Sequence, residues 1–247
     1  MKRSRFSQII ASILVNSLYA LENYPVTLVN SLLAPISIII VIFFVSKGSL
    51  TGVAIEGGLL TAMIGAGTSL QMDISHFKND FKIQDMVVSS PTTQFTYMAG
   101  MALSEIVDTL PALLVLGVLA LLFVKPTLVQ AAIILFVMLM MFMFSASLGF
   151  IFSTFTTDII ESRAYLGIFS LILTTIPPIY YPITYIPKPF QYIAYLSPTT
   201  YGAEIMQSAM GYLQITQLNL AVDVIVVLVA AFGLLLASYH HAIWREN

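Results

Sequence analysis

Six long apolar stretches dominate the sequence, and the segments between them hold most of the polar residues. The stretches cover residues 28–45, 53–72, 97–124, 128–152, 164–181 and 218–239. A helix needs about 20 mostly apolar residues to cross a hydrocarbon core of about 30 Å. Strands of a membrane barrel would instead alternate apolar and polar residues. The pattern therefore predicts an all-α integral membrane protein, a single transmembrane domain (residues 1–247) with six transmembrane helices.

Residues 4–24 have a different pattern, in which apolar residues recur at spacings of three and four. The apolar face carries Phe6, Ile9, Ile10, Ile13, Leu14, Leu18 and Leu21. Polar residues fill the other face, so we expect an amphipathic helix that lies in the membrane interface with its basic start on anionic lipid. Periodicity does not separate a membrane-surface anchor from a docking surface for a soluble partner.

Composition supports a lipid environment and excludes several classes of protein. Charged residues make up 9% of the chain, whereas a soluble domain has about 25%, so lipid must cover most of the surface. The net charge of −2 shows no basic face, and we expect no nucleic-acid partner. The absence of cysteine excludes disulfides, thiolate catalysis and cysteine-ligated metals.

Positive charges predict the orientation in the membrane. With six spans, both termini share one side with the second and fourth connections, and this side holds Lys2, Arg3, Arg5, Lys78, Lys82, Arg163 and Arg245. The other side holds Lys47, Lys125 and Lys188. Because cytoplasmic loops carry the excess of Lys and Arg, we expect a multi-pass protein of the plasma or inner membrane with both termini in the cytoplasm.

The connection after the second stretch is the most charged part of the chain. We expect a short helix at 75–88 that presents charged and aromatic side chains to the cytoplasm and ends before Pro91. Its exposed positions are His76, Phe77, Lys78, Asp80, Phe81, Lys82 and Asp85. A plain connection could be a few residues long, so we favour a docking element over a solvated connector. A metal site at Asp73, His76 and Asp80 is the weaker interpretation, and we expect none.

The connection between the fifth and sixth stretches is rich in proline and tyrosine. Residues 176–198 contain six prolines and five tyrosines with one charged residue, which fits neither a hydrated loop nor a continuous helix. Apolar, non-helical backbone at membrane depth must be buried in protein or line a cavity. We therefore expect re-entrant short helices at 188–196 and 201–212 within 182–214. The alternative is a belt of interfacial aromatic residues.

Acidic residues inside the apolar stretches are candidates for function because a buried carboxyl is costly. Glu105 and Asp108 share one helix face, and we expect them to face the bundle or a translocation cavity. If that helix begins only near Gly100, both would instead reach interfacial water. Glu56 and Asp223 lie near the ends of their stretches and are expected to be solvated, whereas Glu204 in the second short helix is the better candidate for a gate.

The second stretch also carries small residues four positions apart, in two rows. The rows are Gly57, Thr61, Gly65 and Ser69, and Gly58, Ala62 and Ala66. Small residues allow close packing of membrane helices. Packing within the chain and packing against a second copy explain these rows equally well.

Taken together, these features resemble the membrane subunit of the ABC-2-type (type V) ATP-binding-cassette exporters. The segment 85–91, Asp-Met-Val-Val-Ser-Ser-Pro, resembles that family's cytoplasmic motif, although Ile83 and Gln84 stand where the family has a glycine. Tyr181-Pro182 to Ile186-Pro187, followed by 196–198, Leu-Ser-Pro, resemble its motif before the last span. Gln207 stands where the family often has arginine.

The resemblance implies a permease subunit that works with a separate ATPase. Residues 75–88 would be the coupling helix that fits a cleft in the nucleotide-binding subunit, and 4–24 the connecting helix beside it. A second copy or a homologue would complete the translocation path. The path and its exit gate would be formed by Glu105, Asp108, Tyr181, Pro182, Pro187, Pro198 and Glu204.

The sequence itself contains no GxxxxGK phosphate loop, so ATP and Mg are expected on the partner subunit, and we expect no cofactor bound by this chain and no catalytic residue. The apolar path suits a hydrophobic or amphipathic substrate such as a drug, a lipid or a lipid-linked glycan, moved out of the cytoplasm by alternating access. Two alternatives stay open. One is an ion-coupled secondary transporter that uses Glu105 and Asp108, and the less favoured one is an intramembrane lipid-modifying enzyme.

Overall fold

The computed structural model describes residues 5–18, 26–79, 93–156 and 158–241, and in these ranges it contains helices and connections but no strand. The α-helices are α1 (Arg5–Ile13), α2 (Val26–Val45), α3 (Thr51–Asn79), α4 (Gln94–Leu119), α5 (Leu128–Ser153), α6 (Ile159–Ser170), α7 (Lys188–Ala194), α8 (Pro198–Ala209) and α9 (Gln217–His241). Short π-helical segments extend α1, α4 and α6; they are Leu14–Leu18, Ala120–Val124 and Leu171–Thr175. The predicted all-α fold is confirmed.

Several of these helices can cross a bilayer. Among the described residues, α3, α4, α5 and α9 contain segments that are long and apolar enough to do so. Helix α2 has 20 residues, and α6 has 12 residues before its π-helical segment. The chain is therefore a multi-pass membrane protein, and the number of six spans stays a prediction.

Helix α3 is the centre of the bundle. In its apolar span 78% of the residues are buried, against 17% in the spans of α4 and α9. It packs on α2, α4, α5, α6 and α8, and its largest interface is with α5. Because α3 touches most of the other described helices, a displacement of α3 would change several interfaces at once.

The interface between α3 and α5 depends on two glycines. A Cβ atom on Gly67 would overlap Ser145 Oγ and come within 2.6 Å of the backbone nitrogen of Ala146, and a Cβ on Gly149 would lie 2.8 Å from the carbonyl oxygen of Gly67. The two backbones can approach this closely only because neither glycine carries a side chain. Gly67 lies outside both rows of small residues that the sequence highlighted.

The two predicted rows have other neighbours. A Cβ atom at Gly57 would lie 2.7 Å from the carbonyl oxygen of Ile179, and one at Gly58 would lie 3.1 Å from the Ile39 side chain. Packing within the chain therefore accounts for these two positions. Gly65 faces open space.

Two predicted boundaries differ from the structure. The fifth span was expected over 164–181, but helical structure begins at Ile159 and ends at Thr175, because Pro177 and Pro178 cannot continue a helix. A separate coupling helix was expected from residue 75, but residues 75–79 continue α3. The rest of the expected coupling helix, residues 80–88, lies outside the described residues.

After α6 the chain folds back over one end of the bundle. We call residues 176–212 the cap region; it contains a turn of 3-10 helix (Ile183–Tyr185) and the short helices α7 and α8. These two helices match the predicted re-entrant pair within a few residues. The cap region lies on the Thr51 end of α3, because Tyr212 covers Gly52 and Ile179 covers Gly57.

We expect Gly67→Ala to destabilise the protein. Overpacking a core costs about 1–3 kcal/mol, more than the gain of about 0.5–1 kcal/mol from replacing a glycine inside a helix. Thermal unfolding in detergent should show a lower Tm for Gly67→Ala and an equal or higher Tm for the control Gly65→Ala, whose Cβ meets open space. Equal Tm values for both variants would contradict the close approach of α3 and α5.

Candidate functional site

Acidic side chains converge where α3, α4 and α1 meet; we call Ser17, Ser69, Asp73, Glu105 and Asp108 the acidic cluster. The Glu105 side chain is buried, and its Oε2 accepts a hydrogen bond of 2.5 Å from Ser69 Oγ. Ser17 Oγ donates a hydrogen bond of 2.6 Å to Asp108 Oδ1. Glu105 and Asp108 thus face the bundle, and α4 begins at Gln94, well before Gly100.

Asp73 of α3 lies within hydrogen-bonding reach of Glu105. A carboxylate is only an acceptor, so a hydrogen bond between two carboxyl groups requires a proton on one of them. Among the described residues no group of three or more His, Cys, Asp or Glu side chains is arranged to hold a metal ion.

Helix α1 packs on α4 with its polar face. Ser12 touches Gly100 closely, because a Cβ atom on that glycine would lie 2.9 Å from the serine. Asn16 Nδ2 lies 3.1 Å from the sulfur of Met101, while Phe6 and Leu14 on the opposite face are exposed. Ser12, Asn16 and Ser17 thus make contacts inside the chain, while Phe6, Ile10 and Leu14 leave an apolar surface exposed.

At the Asn79 end of α3, three hydroxyl groups join separate elements. Ser162 Oγ and Thr156 Oγ1 lie 2.8 Å and 3.0 Å from Ser75 Oγ, and all three side chains are buried. We call these three residues the hydroxyl cluster. Because Thr156 and Ser162 flank the connection between α5 and α6, the cluster ties that connection to the end of α3.

The predicted coupling residues follow directly after Ser75. His76, Phe77 and Lys78 occupy the last turn of α3 and are half-buried, with Phe77 packed against the core. The other predicted coupling residues, Asp80, Phe81, Lys82, Asp85 and Pro91, lie outside the described residues.

In the cap region, Gln207 of α8 holds the backbone that follows α6. Its side chain is 2% exposed, and Nε2 donates to the carbonyl oxygen of Pro178 at 3.0 Å and lies 3.4 Å from those of Ile179 and Tyr181. A second contact is made by Tyr180, whose hydroxyl lies 2.9 Å from Thr61 Oγ1 on α3. Gln207 therefore supplies donors at the position where the related motif has arginine.

Glu204 lies about one turn before Gln207 on α8 and contacts a different partner. Its side chain is 4% exposed, and Oε1 accepts a hydrogen bond of 2.8 Å from the Tyr195 hydroxyl. Burial raises the pKa of Glu204, and the hydrogen bond from Tyr195 acts in the opposite direction. Asp223 of α9 interacts electrostatically with Tyr195 and Tyr201, so this acid lies next to the cap region.

The predicted proline and tyrosine positions differ in their exposure. Pro182 is buried and Tyr181 is half-buried, Pro187 is exposed, and Pro198 begins α8. The first two pack against the bundle and the last starts a helix, as proline does readily at the first helical position. These positions shape the cap region.

The prediction that Glu56 and Asp223 are solvated is wrong. Their side chains are only 1% and 3% exposed. Neither carboxylate oxygen of Glu56 has a hydrogen-bond partner, and one oxygen of Asp223 has none. The reason is the cap region, which covers the helix ends that would otherwise meet water.

These features define the class of protein: a multi-pass helical membrane protein whose central helix makes polar contacts along its length. The model of the ABC-2 type transporter family matches residues 6–210, which is most of the chain, so the chain belongs to the ABC-2 type transporter family. Members of this family are the membrane components of transporters. No curated protein matches the chain significantly.

The hydroxyl cluster and the contacts of Ser17 and Gln207 were not predicted from the sequence. Serine and threonine occur throughout the apolar stretches, so composition gives no sign of which ones meet. Only the contact of Gln207 could have been found from the sequence, because this residue stands at a known position of the family motif. Glutamine and arginine both donate hydrogen bonds, so the substitution indicates that donors are needed there.

We expect Gln207→Leu to lower the stability of the folded protein by about 1 kcal/mol. Loss of the donor leaves a buried carbonyl oxygen unpaired, which costs about 1–3 kcal/mol, and removal of the unpartnered Gln207 Oε1 offsets part of this. Thermal unfolding should show a Tm lower by about 2–4 °C. The matched control is Gln214→Leu, at an exposed position, which should leave the Tm unchanged; an equal drop in both variants would count against the role of Gln207.

Proposed function

We propose that this chain is the permease subunit of an ATP-driven exporter that moves a hydrophobic or amphipathic substrate out of the cytoplasm by alternating access. A separate ATPase subunit supplies the energy, and a second copy or a homologue completes the path. The chain's own part is mechanical: it binds the substrate, excludes water and changes conformation.

The observation that carries this proposal is the path of α3. This single helix of 29 residues has the hydroxyl cluster and the half-buried residues 76–78 at its Asn79 end. At its Thr51 end it contacts the cap region through Thr61, Gly57 and Gly52. A force applied at residues 76–88 would therefore reach the cap region through one rigid element.

The ATPase subunit would contact the Asn79 end of α3 and the neighbouring elements. Ser75 links this end to residues 156–162, so a push on the coupling segment would also move the connection between α5 and α6. Helix α1 lies on α4 beside the acidic cluster, with an apolar free surface. In this assignment the Asn79 end is cytoplasmic and the cap region lies on the outer side.

The character of the exposed helix surfaces supports a lipid-facing path and a second subunit. Only 17% of the residues in the apolar spans of α4 and α9 are buried, and lipid or another membrane subunit can cover the faces that this leaves accessible. An apolar surface binds hydrophobic or amphipathic molecules better than inorganic ions. This favours drugs, lipids or lipid-linked glycans as substrates.

We expect Lys78→Glu to weaken the association with the ATPase subunit about fivefold, because reversing a charge at the rim of an interface costs about 1 kcal/mol. The measurement is the amount of ATPase that copurifies with the tagged chain from its native membrane. The control is Lys188→Glu, the same reversal at an exposed position in the cap region. If both variants retain the ATPase equally, or the wild-type chain retains none, the proposed docking end is wrong.

A second candidate function rests on the contact between Asp73 and Glu105. A carboxyl pair in a membrane bundle is a plausible proton carrier, and an ion-coupled secondary transporter would use it. In the exporter the same pair would serve only to hold α3 and α4 together.

Energy coupling distinguishes the two candidates. We expect transport in membrane vesicles to stop when ATP is withheld and to continue when an ionophore collapses the proton gradient at constant outer pH. Glu105→Gln is compared with the wild type in the same assay. This variant keeps the shape of the side chain but cannot carry a proton, so an ATP-driven exporter should retain most of its transport. Transport that follows the gradient and is lost in Glu105→Gln would favour the secondary transporter.

A further inference from the structure

Glu56 is a buried acid that neither the bundle packing nor the proposed coupling path uses. It lies on α3 beneath the cap region, 1% exposed, and neither carboxylate oxygen has a partner. Close to it is another unpartnered acceptor, Gln207 Oε1. Both residues line the same gap between α3 and the cap region.

The lining of this gap is otherwise apolar. It consists of Glu56, Gly57, Leu60, Ile179, Ala203, Met206 and Gln207. The Nε2 group of Gln207 is turned toward the backbone of residues 178–181, so the side chains in the gap present acceptors and no donor. The space between them is too narrow to admit a water molecule.

The size of the gap decides what can satisfy Glu56. A hydrated or bare metal ion would need several oxygen ligands and room to be coordinated, which a gap narrower than a water molecule does not offer. An unpaired carboxylate in an apolar site is far more costly than the neutral acid, and such a group takes up a proton instead. A proton is therefore the only cation that fits.

The geometry points to Glu56 as a proton-binding site that is closed by the cap region: the acid is protonated while α8 and residues 176–182 cover it, and it exchanges its proton with the outer solution when they move away. This inference rests on the proposed function for the movement of the cap region and for its place on the outer side. Protonation in the closed conformation follows from burial alone.

The groups that face Glu56 do not provide another explanation. Helix α8 contributes Ala203, Met206 and Gln207, and residues 176–182 contribute Ile179; none is charged. The titratable neighbour is Tyr212, which covers Gly52 one turn away on α3. Burial raises the pKa of the Tyr212 phenol, so this group stays neutral, and a phenol has no cationic form that could balance a carboxylate charge.

The direction of the pH effect follows from linkage. Since the closed conformation binds the proton and the open conformation exposes the acid to water, acid on the outer side favours closure and alkali favours opening. The proton returns to the side from which it came, so no proton crosses the membrane. The cycle therefore depends on outer pH but not on a proton gradient.

Infrared difference spectroscopy of the purified chain tests the protonation directly. The spectrum of the wild type minus that of Glu56→Gln should contain the carbonyl band of a protonated carboxyl at neutral pH, whereas carboxylate bands in its place would overturn the inference. The control is Asp158→Asn at an exposed helix cap, which should show carboxylate bands. Glu56→Gln keeps the shape and the neutral state of the side chain, so it should fold. This test needs no ATPase and no transport.

A thiol probe tests the link to opening. The chain has no cysteine, so Ala203→Cys places a single thiol in the gap, where a membrane-impermeant reagent can reach it only when the cap region moves. The quantity to compare is the labelling rate with Glu56 present divided by the rate in the Glu56→Gln background. Ionisation of the thiol affects both rates equally, so its effect cancels from this ratio. This ratio should rise with outer pH by up to about tenfold per pH unit.

A ratio that stays constant with pH would refute the link between proton release and opening. If the infrared band is present but the ratio is constant, the proton site stands and only its role in opening is wrong. If the ratio rises but no ATPase copurifies with the chain, the proposed exporter fails and the proton site remains.

Discussion

Lipid offers no hydrogen bonds, and this single constraint shapes the molecule. A polar group that faces the hydrocarbon core has no partner there, so the polar side chains of this chain turn inward. Ser17 meets Asp108, Ser69 meets Glu105, and Ser75 meets Ser162. Each contact joins two elements that are distant in sequence. Polar pairing therefore acts together with the close backbone packing of α3 and α5 in selecting the faces of these apolar helices that pack together.

The same constraint explains the central position of α3. Its hydroxyl and carboxyl groups are spread along its length, so it needs partners on several sides, whereas α4 and α9 expose long apolar faces. Contact with α5 through Gly67 and Gly149 brings two backbones together, and interiors packed this closely transmit displacement. A helix with many partners at both ends and close contact in the middle suits the transmission of force across a membrane.

Pattern alone predicted the helices well and the buried contacts poorly. The capping box at Thr127 and Gln130 begins α5 where the apolar stretch begins, and the prolines mark the cap region. Hydropathy locates the ends of an apolar helix but gives no information on other segments that fold over those ends. Glu56 lies near such an end and was therefore expected to meet water. The fifth span ends earlier than expected because residues 177–182 are apolar and mostly buried without being helical.

In the proposed exporter, a neutral contact at Gln207 suits a cap region that moves. A buried arginine at this position would carry a charge, and burying a charge is costly unless it is paired and hydrogen-bonded. An amide binds the carbonyl oxygens of residues 178–181 without a charge, and neutral hydrogen bonds contribute only about 0.5–1.5 kcal/mol each. With the proposed proton on Glu56, the contact between α3 and α8 is uncharged throughout. Separation of the cap region then breaks weak neutral contacts and hydrates one acid, a change small enough to be reversed in every transport cycle.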